Sequence, residues 1–225
     1  MRRDYQQIPG SLFVSQNTNL LISTLVLLWF LAMIFFAEPY KFWQFAISAL
    51  GSTLTPNGSP NGISVCLFIG SMAAAFSIMW RLAGFYRFMQ TANYKIYAFL
   101  YYMGSFGAVV ICYPSNVSKP IHSIGGALIV FSHVFITLTH IMAQKKIVPK
   151  RRFILRIVML AVPVLIYAFV WLIWVPAIVQ FFQKTAFIAL FSVEKLTTNA
   201  EHISLEQNLF AHKSDENPIY IYGDT

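Results

Sequence analysis

Between Asp4 and Glu194 the chain carries one acidic residue, Glu38. A soluble surface of that length needs carboxylates to stay dissolved, so an aqueous globular fold is excluded. Charge of either sign is scarce, at 11% of 225 residues, while 57% are hydrophobic and the mean hydropathy is +0.62. Lipid must therefore replace water as the main solvent. Cys66 and Cys112 are the only cysteines, too few for a disulfide scaffold or a cysteine-ligated zinc or iron–sulfur centre. They fall at similar depth near one end of two consecutive helices, which leaves a single disulfide open. Paired carboxylates and nucleophile triads are missing from the apolar region, so no catalytic set is expected there. Residues 1–17 are polar and the first apolar run is too long for a leader peptide, so no cleavable signal is expected.

What the sequence has in quantity is long apolar runs. A bilayer core of about 30 Å is crossed by about 20 helical residues, because only closed backbone hydrogen bonding is tolerated there. Six runs meet that requirement, at 19–38, 63–85, 94–113, 121–143, 153–175 and 176–196. The last is interrupted by Gln180, Gln183 and Lys184. Pro39, Pro114, Pro120 and Pro149 fall between runs, the stretch 55–62 reads as a loop, and Pro163 predicts a kink in the fifth helix. The fold class is thus an all-α integral membrane protein: a six-helix transmembrane bundle over 19–197, preceded by a short segment 1–18. Phe42, Trp43, Phe45, Ile47 and Leu50 predict a short interfacial helix after the first span. The acidic stretch 198–225 reads as a solvated tail that offers a docking segment for the basic loops or for a protein partner.

Lysine and arginine set the orientation. With the N-terminus inside, thirteen of the sixteen lie on the cytoplasmic side, Lys41 and Lys119 lie outside and Lys184 lies within a span. The positive-inside rule then places both termini in the cytoplasm. The net charge of +8 resides in short loops between apolar runs, as expected beside an anionic leaflet, so nucleic acid is not an expected partner and membrane lipids are. A plasma or inner membrane is the expected location.

The polar residues within the apolar regions are the candidate site. His122, His133 and His140 are spaced by 11 and 7, which at about 100° per residue keeps them within about 20° on one face of the fourth helix. Ionisable groups in a membrane are costly and face the bundle interior or a water-filled path. Haem ligation between facing helices is disfavoured because every intramembrane histidine is on one helix; His202 and His212 lie in the tail. A single metal ion is excluded by rises of about 16 Å and 10 Å between the imidazoles. No metal or other cofactor is expected. Lys184 needs a partner, a snorkelling path or a ligand's anionic group. Gly70 with Ala74, Gly104 with Ala108, and Gly125 with Gly126 predict close helix approach. Asn57-Gly58-Ser59 and Asn116-Val117-Ser118 match the glycosylation sequon.

Further signals lie beside the helix ends. Ile47-Ser48-Ala49-Leu50-Gly51-Ser52 precedes Pro56, Asn57 and Asn61. Cys112-Tyr113-Pro114 precedes His122-Ser123-Ile124-Gly125-Gly126. In that order these features resemble domain-of-unknown-function family 998 and its relatives, the DRAM-like and Sfk-like six-span proteins, over roughly residues 20–196. The resemblance implies a six-span fold and an association with lipid handling or membrane trafficking, and it carries over Ser48, Leu50, Gly51, Pro114 and His122.

The expected ligand-binding or polar-cavity residues are Glu38, Ser48, Gly51, Asn61, His122, Ser123, His133, His140 and Lys184. The expected function is that of a non-enzymatic polytopic membrane protein that binds lipid or serves as an accessory subunit. Two alternatives stand beside it. One is a proton-coupled transporter using the histidine row and Lys184; the other is a lipid-modifying enzyme acting at the outer face through Glu38, Ser48 and His122.

Overall fold

Apolar runs of this length have no aqueous face to offer, so the chain satisfies its backbone internally as helix. The computed structural model describes residues 10–42, 44–89, 93–145, 148–173, 182 and 184–197. Its helices are α1 (Gly10–Ile34), α2 (Gly62–Met89), α3 (Tyr94–Val110), α4 (Lys119–Ala143) and α5 (Lys150–Ile173), followed by α6 over 184–197. Among the described residues there is no strand, only an isolated bridge between Leu54 and Pro60. The protein is all-α, and Phe13–Ile34, Gly62–Phe88 and Lys119–Ala143 are long and apolar enough to cross a membrane. α3 is shorter, with 17 residues, and α5 opens with Lys150, Arg151, Arg152 and Arg156 within its first two turns.

Large apolar side chains point outward from every long helix. Phe30 (60% exposed), Phe99 (65%), Phe106 (62%) and Leu165 (65%) would be unfavourable in water and are natural against acyl chains. Inside, α1, α2, α3 and α4 pack in sequence and α5 lies against α4. α6 joins the two ends of this row, contacting α4 through His133 with Glu194 and α1 through Trp29 with Phe187.

Missing side chains allow α3 and α4 to approach closely. A Cβ on Gly104 would fall 2.6 Å from Ser132 Oγ, one on Gly107 would fall 2.9 Å from the Gly125 carbonyl oxygen, and one on Gly125 would collide with the Ile111 backbone. Gly126 meets only Ile111 Cδ1, at 3.6 Å, and Gly70 faces open space. The expected contact at Gly70 is therefore corrected: on α2 the small face at this level is turned away from the bundle.

The linker between α1 and α2 holds a short helix where one was expected, of 3-10 form at Ile47–Gly51, followed by a loop closed by the Leu54–Pro60 bridge. The Asn61 side chain organises the segment: Nδ2 donates to Ser52 O at 3.0 Å and Oδ1 accepts from Ala37 N at 3.3 Å. The Tyr40 hydroxyl donates towards the carbonyls of Phe45 and Ala46, at 3.1 and 2.9 Å, and burial raises its pKa so that it remains a donor. Ser52 with Ser115 (2.7 Å), and Thr53 with Asn116, tie this linker to the loop between α3 and α4. Cys66 and Cys112 are free thiols, so the disulfide left open by the sequence is not formed. Gln180, Gln183, the segment 1–9 and the tail 198–225 lie outside the described residues.

Candidate functional site

The periodicity of α4 places its three histidines on the face turned towards α1, α2, α3 and α6, and all are buried, at 5%, 1% and 0% exposure for His122, His133 and His140. Each meets a different partner. His122 Nδ1 lies 2.9 Å from the Tyr113 carbonyl oxygen. A carbonyl only accepts, so Nδ1 carries the proton and Nε2 of the neutral ring is an acceptor. That Nε2 is buried and has no partner among the described residues.

His133 is paired with Glu194, Nδ1 to Oε2 at 2.6 Å, with both side chains no more than 2% exposed. The distance is that of a direct hydrogen bond between the imidazole and the carboxyl group. Glu194 Oε1 and the hydroxyls of Tyr86 and Tyr101 are also buried with unused hydrogen-bonding capacity, and both phenols lie within electrostatic range of the carboxylate. His140 continues the row. Its ring stacks on Tyr97 with centroids 4.6 Å apart, and its Nδ1 lies 3.3 Å from the Tyr97 hydroxyl. Next along α4's end, Gln144 Nε2 donates to Thr197 O at 2.7 Å and anchors the end of α6.

His122 and His133 both line a cavity of about 150 Å³ bordered by α1, α2, α4, α6 and the linker. Its walls are mostly apolar, including Leu21, Phe68, Met72 and Phe187, with polar groups at Ser48, His122, Ser123 and His133. A concave apolar space with a few fixed polar groups is the usual form of a small-molecule or lipid site. A second cavity of about 350 Å³ lies between α1 and α6, with Lys184 in its wall.

The expected residues thus separate by role. Ser48, His122, Ser123 and His133 meet in one cavity, and Lys184 lines the other. His140 lies further along α4, within the tyrosine cluster. Glu38 stands apart from both cavities and accepts a hydrogen bond from Asn57. Gly51 has a packing role, because a Cβ there would lie 2.7 Å from the Phe68 ring. Asn61 has the structural role described for the linker. Glu194, not among the expected residues, is buried against His133 where α6 docks on α4. The aromatic neighbours Tyr86, Tyr97 and Tyr101 carried no distinguishing sequence pattern; only the partnering needs of buried histidines pointed to such groups. No metal-holding group of three or more His, Cys, Asp or Glu is formed among the described residues. No family model, curated protein or solved structure matches the chain.

Proposed function

We propose that this is a six-span membrane protein with both termini in the cytoplasm that binds a membrane lipid, without chemical turnover, in the cavity beside His122 and His133. The observation that carries this reading is the cavity itself: apolar walls suited to an acyl chain, and Ser48, Ser123 and the free Nε2 of His122 as hydrogen-bonding groups. The lysine and arginine distribution supports the orientation. The kinship with family 998 and the DRAM-like and Sfk-like proteins belongs to the same proposal. Its motif positions support it by forming one unit, in which Gly51 packs on Phe68, Phe68 stacks on His122 at 6.2 Å, and His122 bonds the residue before Pro114.

Mass spectrometry of the purified chain under native conditions tests the reading. The expected result is a stoichiometric lipid that is lost in Ala75→Phe, which fills the cavity from α2. A lipid-free wild-type protein, or equal retention by Ala75→Phe, would refute it.

A second reading, proton-coupled transport, is favoured by the buried His133–Glu194 pair, since intramembrane acid and imidazole groups mark proton paths. It requires a pH-dependent flux in liposomes that His133→Ala abolishes. The lipid-modifying alternative has less support, because Glu38 lies outside the cavity that Ser48 and His122 share.

A further inference from the structure

The groove between α1 and α6 is built differently from the cavity beside the histidines. It shares a wall with that cavity, including Trp29 and Phe187, but its polar groups all come from α6: Lys184, Ser192 and Lys195. Lys184 and Lys195 are 11 residues apart, so they lie within about 20° on one face and about 16 Å apart along the axis. Between them the groove is apolar, and its outer wall is formed by exposed side chains, among them Val26, Phe30 and Ile188 at 57%, 60% and 61% exposure. It therefore opens towards the surroundings that those side chains face, the acyl region of a bilayer.

Lys184 is only 3% exposed. Its ammonium donates to the Phe42 carbonyl and lies 5.0 and 4.3 Å from the ring centroids of Tyr40 and Phe42. Those contacts orient a cation without neutralising it. Among the described residues the only ion pair is His133–Glu194, and Glu38 at the linker end is held by Asn57. An ammonium has three donors, and one carbonyl and two ring faces leave Lys184 with capacity to hold an anion, which a low-dielectric site would bind more strongly than water does.

We propose that the α1–α6 groove binds one anionic phospholipid, its phosphate on Lys184 and an acyl chain laid along the groove towards Lys195. This rests on the lipid-binding reading and adds a head-group class and a second, separate site. Charge complementarity selects the head group, and the apolar groove opening to the bilayer selects a lipid over a free anion.

The test is native mass spectrometry of the full chain, delipidated and then offered equal phosphatidylglycerol and phosphatidylcholine, with glycerol 3-phosphate in a separate arm. Wild type and Lys184→Arg are expected to retain one phosphatidylglycerol with a preference of about tenfold or more over phosphatidylcholine, the scale of one charge-assisted contact. Lys184→Met is expected to lose the preference while still holding lipid in the cavity beside the histidines. Ile188→Trp, which narrows the groove and leaves the ammonium in place, is expected to lose phosphatidylglycerol as well and keeps the test decisive should Lys184→Met not fold. Glycerol 3-phosphate is expected not to bind. Equal retention of the two lipids by wild type, a preference that survives Lys184→Met, or binding of glycerol 3-phosphate as tight as that of the lipid would each overturn the proposal. So would dimers that fill the groove without lipid. Failure of wild type to hold any lipid would overturn the lipid-binding reading too; lipid held without preference would overturn only this one.

Discussion

Replacing His133 by leucine removes the hydrogen-bond partner of a deeply buried carboxyl group. Glu194 is 1% exposed, its Oε2 lies 2.6 Å from His133 Nδ1, and its Oε1 has no partner among the described residues. Breaking a buried pair on one side costs about 3–5 kcal/mol, because the remaining charge stays desolvated. At about 1.4 kcal/mol per decade, the unfolding constant should rise by roughly a hundredfold to a few thousandfold. His140→Leu removes a neutral hydrogen bond to Tyr97 and should cost about 1–3 kcal/mol, and His122→Leu about 1 kcal/mol, because the Tyr113 carbonyl lies at a helix end. The double substitution His133→Leu with Glu194→Leu leaves no buried charge and should be clearly less damaging than the sum of the singles. Equilibrium unfolding in mixed micelles, followed by tryptophan fluorescence, compares wild type, the three histidine variants, Glu194→Leu and the double variant. If His133→Leu unfolds with the same midpoint as His122→Leu, or if the two leucines add without recovery, the pair does not contribute to the fold as argued.

Three other outcomes are expected. Gly125→Ala should cost at least about 1–3 kcal/mol in the same unfolding assay, because its Cβ would collide with the Ile111 backbone, whereas Gly70→Ala, facing open space, should be neutral or stabilising. Cys66, exposed and unbonded, should react with a small maleimide without prior reduction, and the intact mass should not change on reduction; a gain of two hydrogens would contradict the free thiols. Single cysteines at Ser59 and Lys145 should be labelled from opposite sides of sealed vesicles by an impermeant reagent, and same-side labelling would remove the six-span topology.

The helices were legible in the sequence because long apolar runs without strand-like alternation become helices, and Pro and Gly clusters separate them. The first five expected runs coincide with α1 to α5, with α1 reaching further towards the N-terminus, to Gly10. The inward histidine row was legible for a related reason, since a common helical phase forces three polar residues to share one face. The packing value of Gly104 and Gly125 also followed from composition. The role of Gly70 did not, because a small residue permits a close approach without saying which side the neighbour occupies.

By itself, the sequence determined that this protein is helical, that it has helices long and apolar enough to cross a membrane and that His122, His133 and His140 share a stripe, because periodicity and hydropathy are local properties of a chain. Tertiary structure decided which partner each histidine meets: a backbone carbonyl for His122, the Glu194 carboxylate for His133, a tyrosine for His140. It also decided that Ser48, 74 residues before His122, shares a cavity with it, and that Lys184 turns into a groove beside α1. These are questions of the depth and rotation at which one helix docks on another. Such docking is set by side-chain packing between segments far apart in the chain, and no local pattern encodes it.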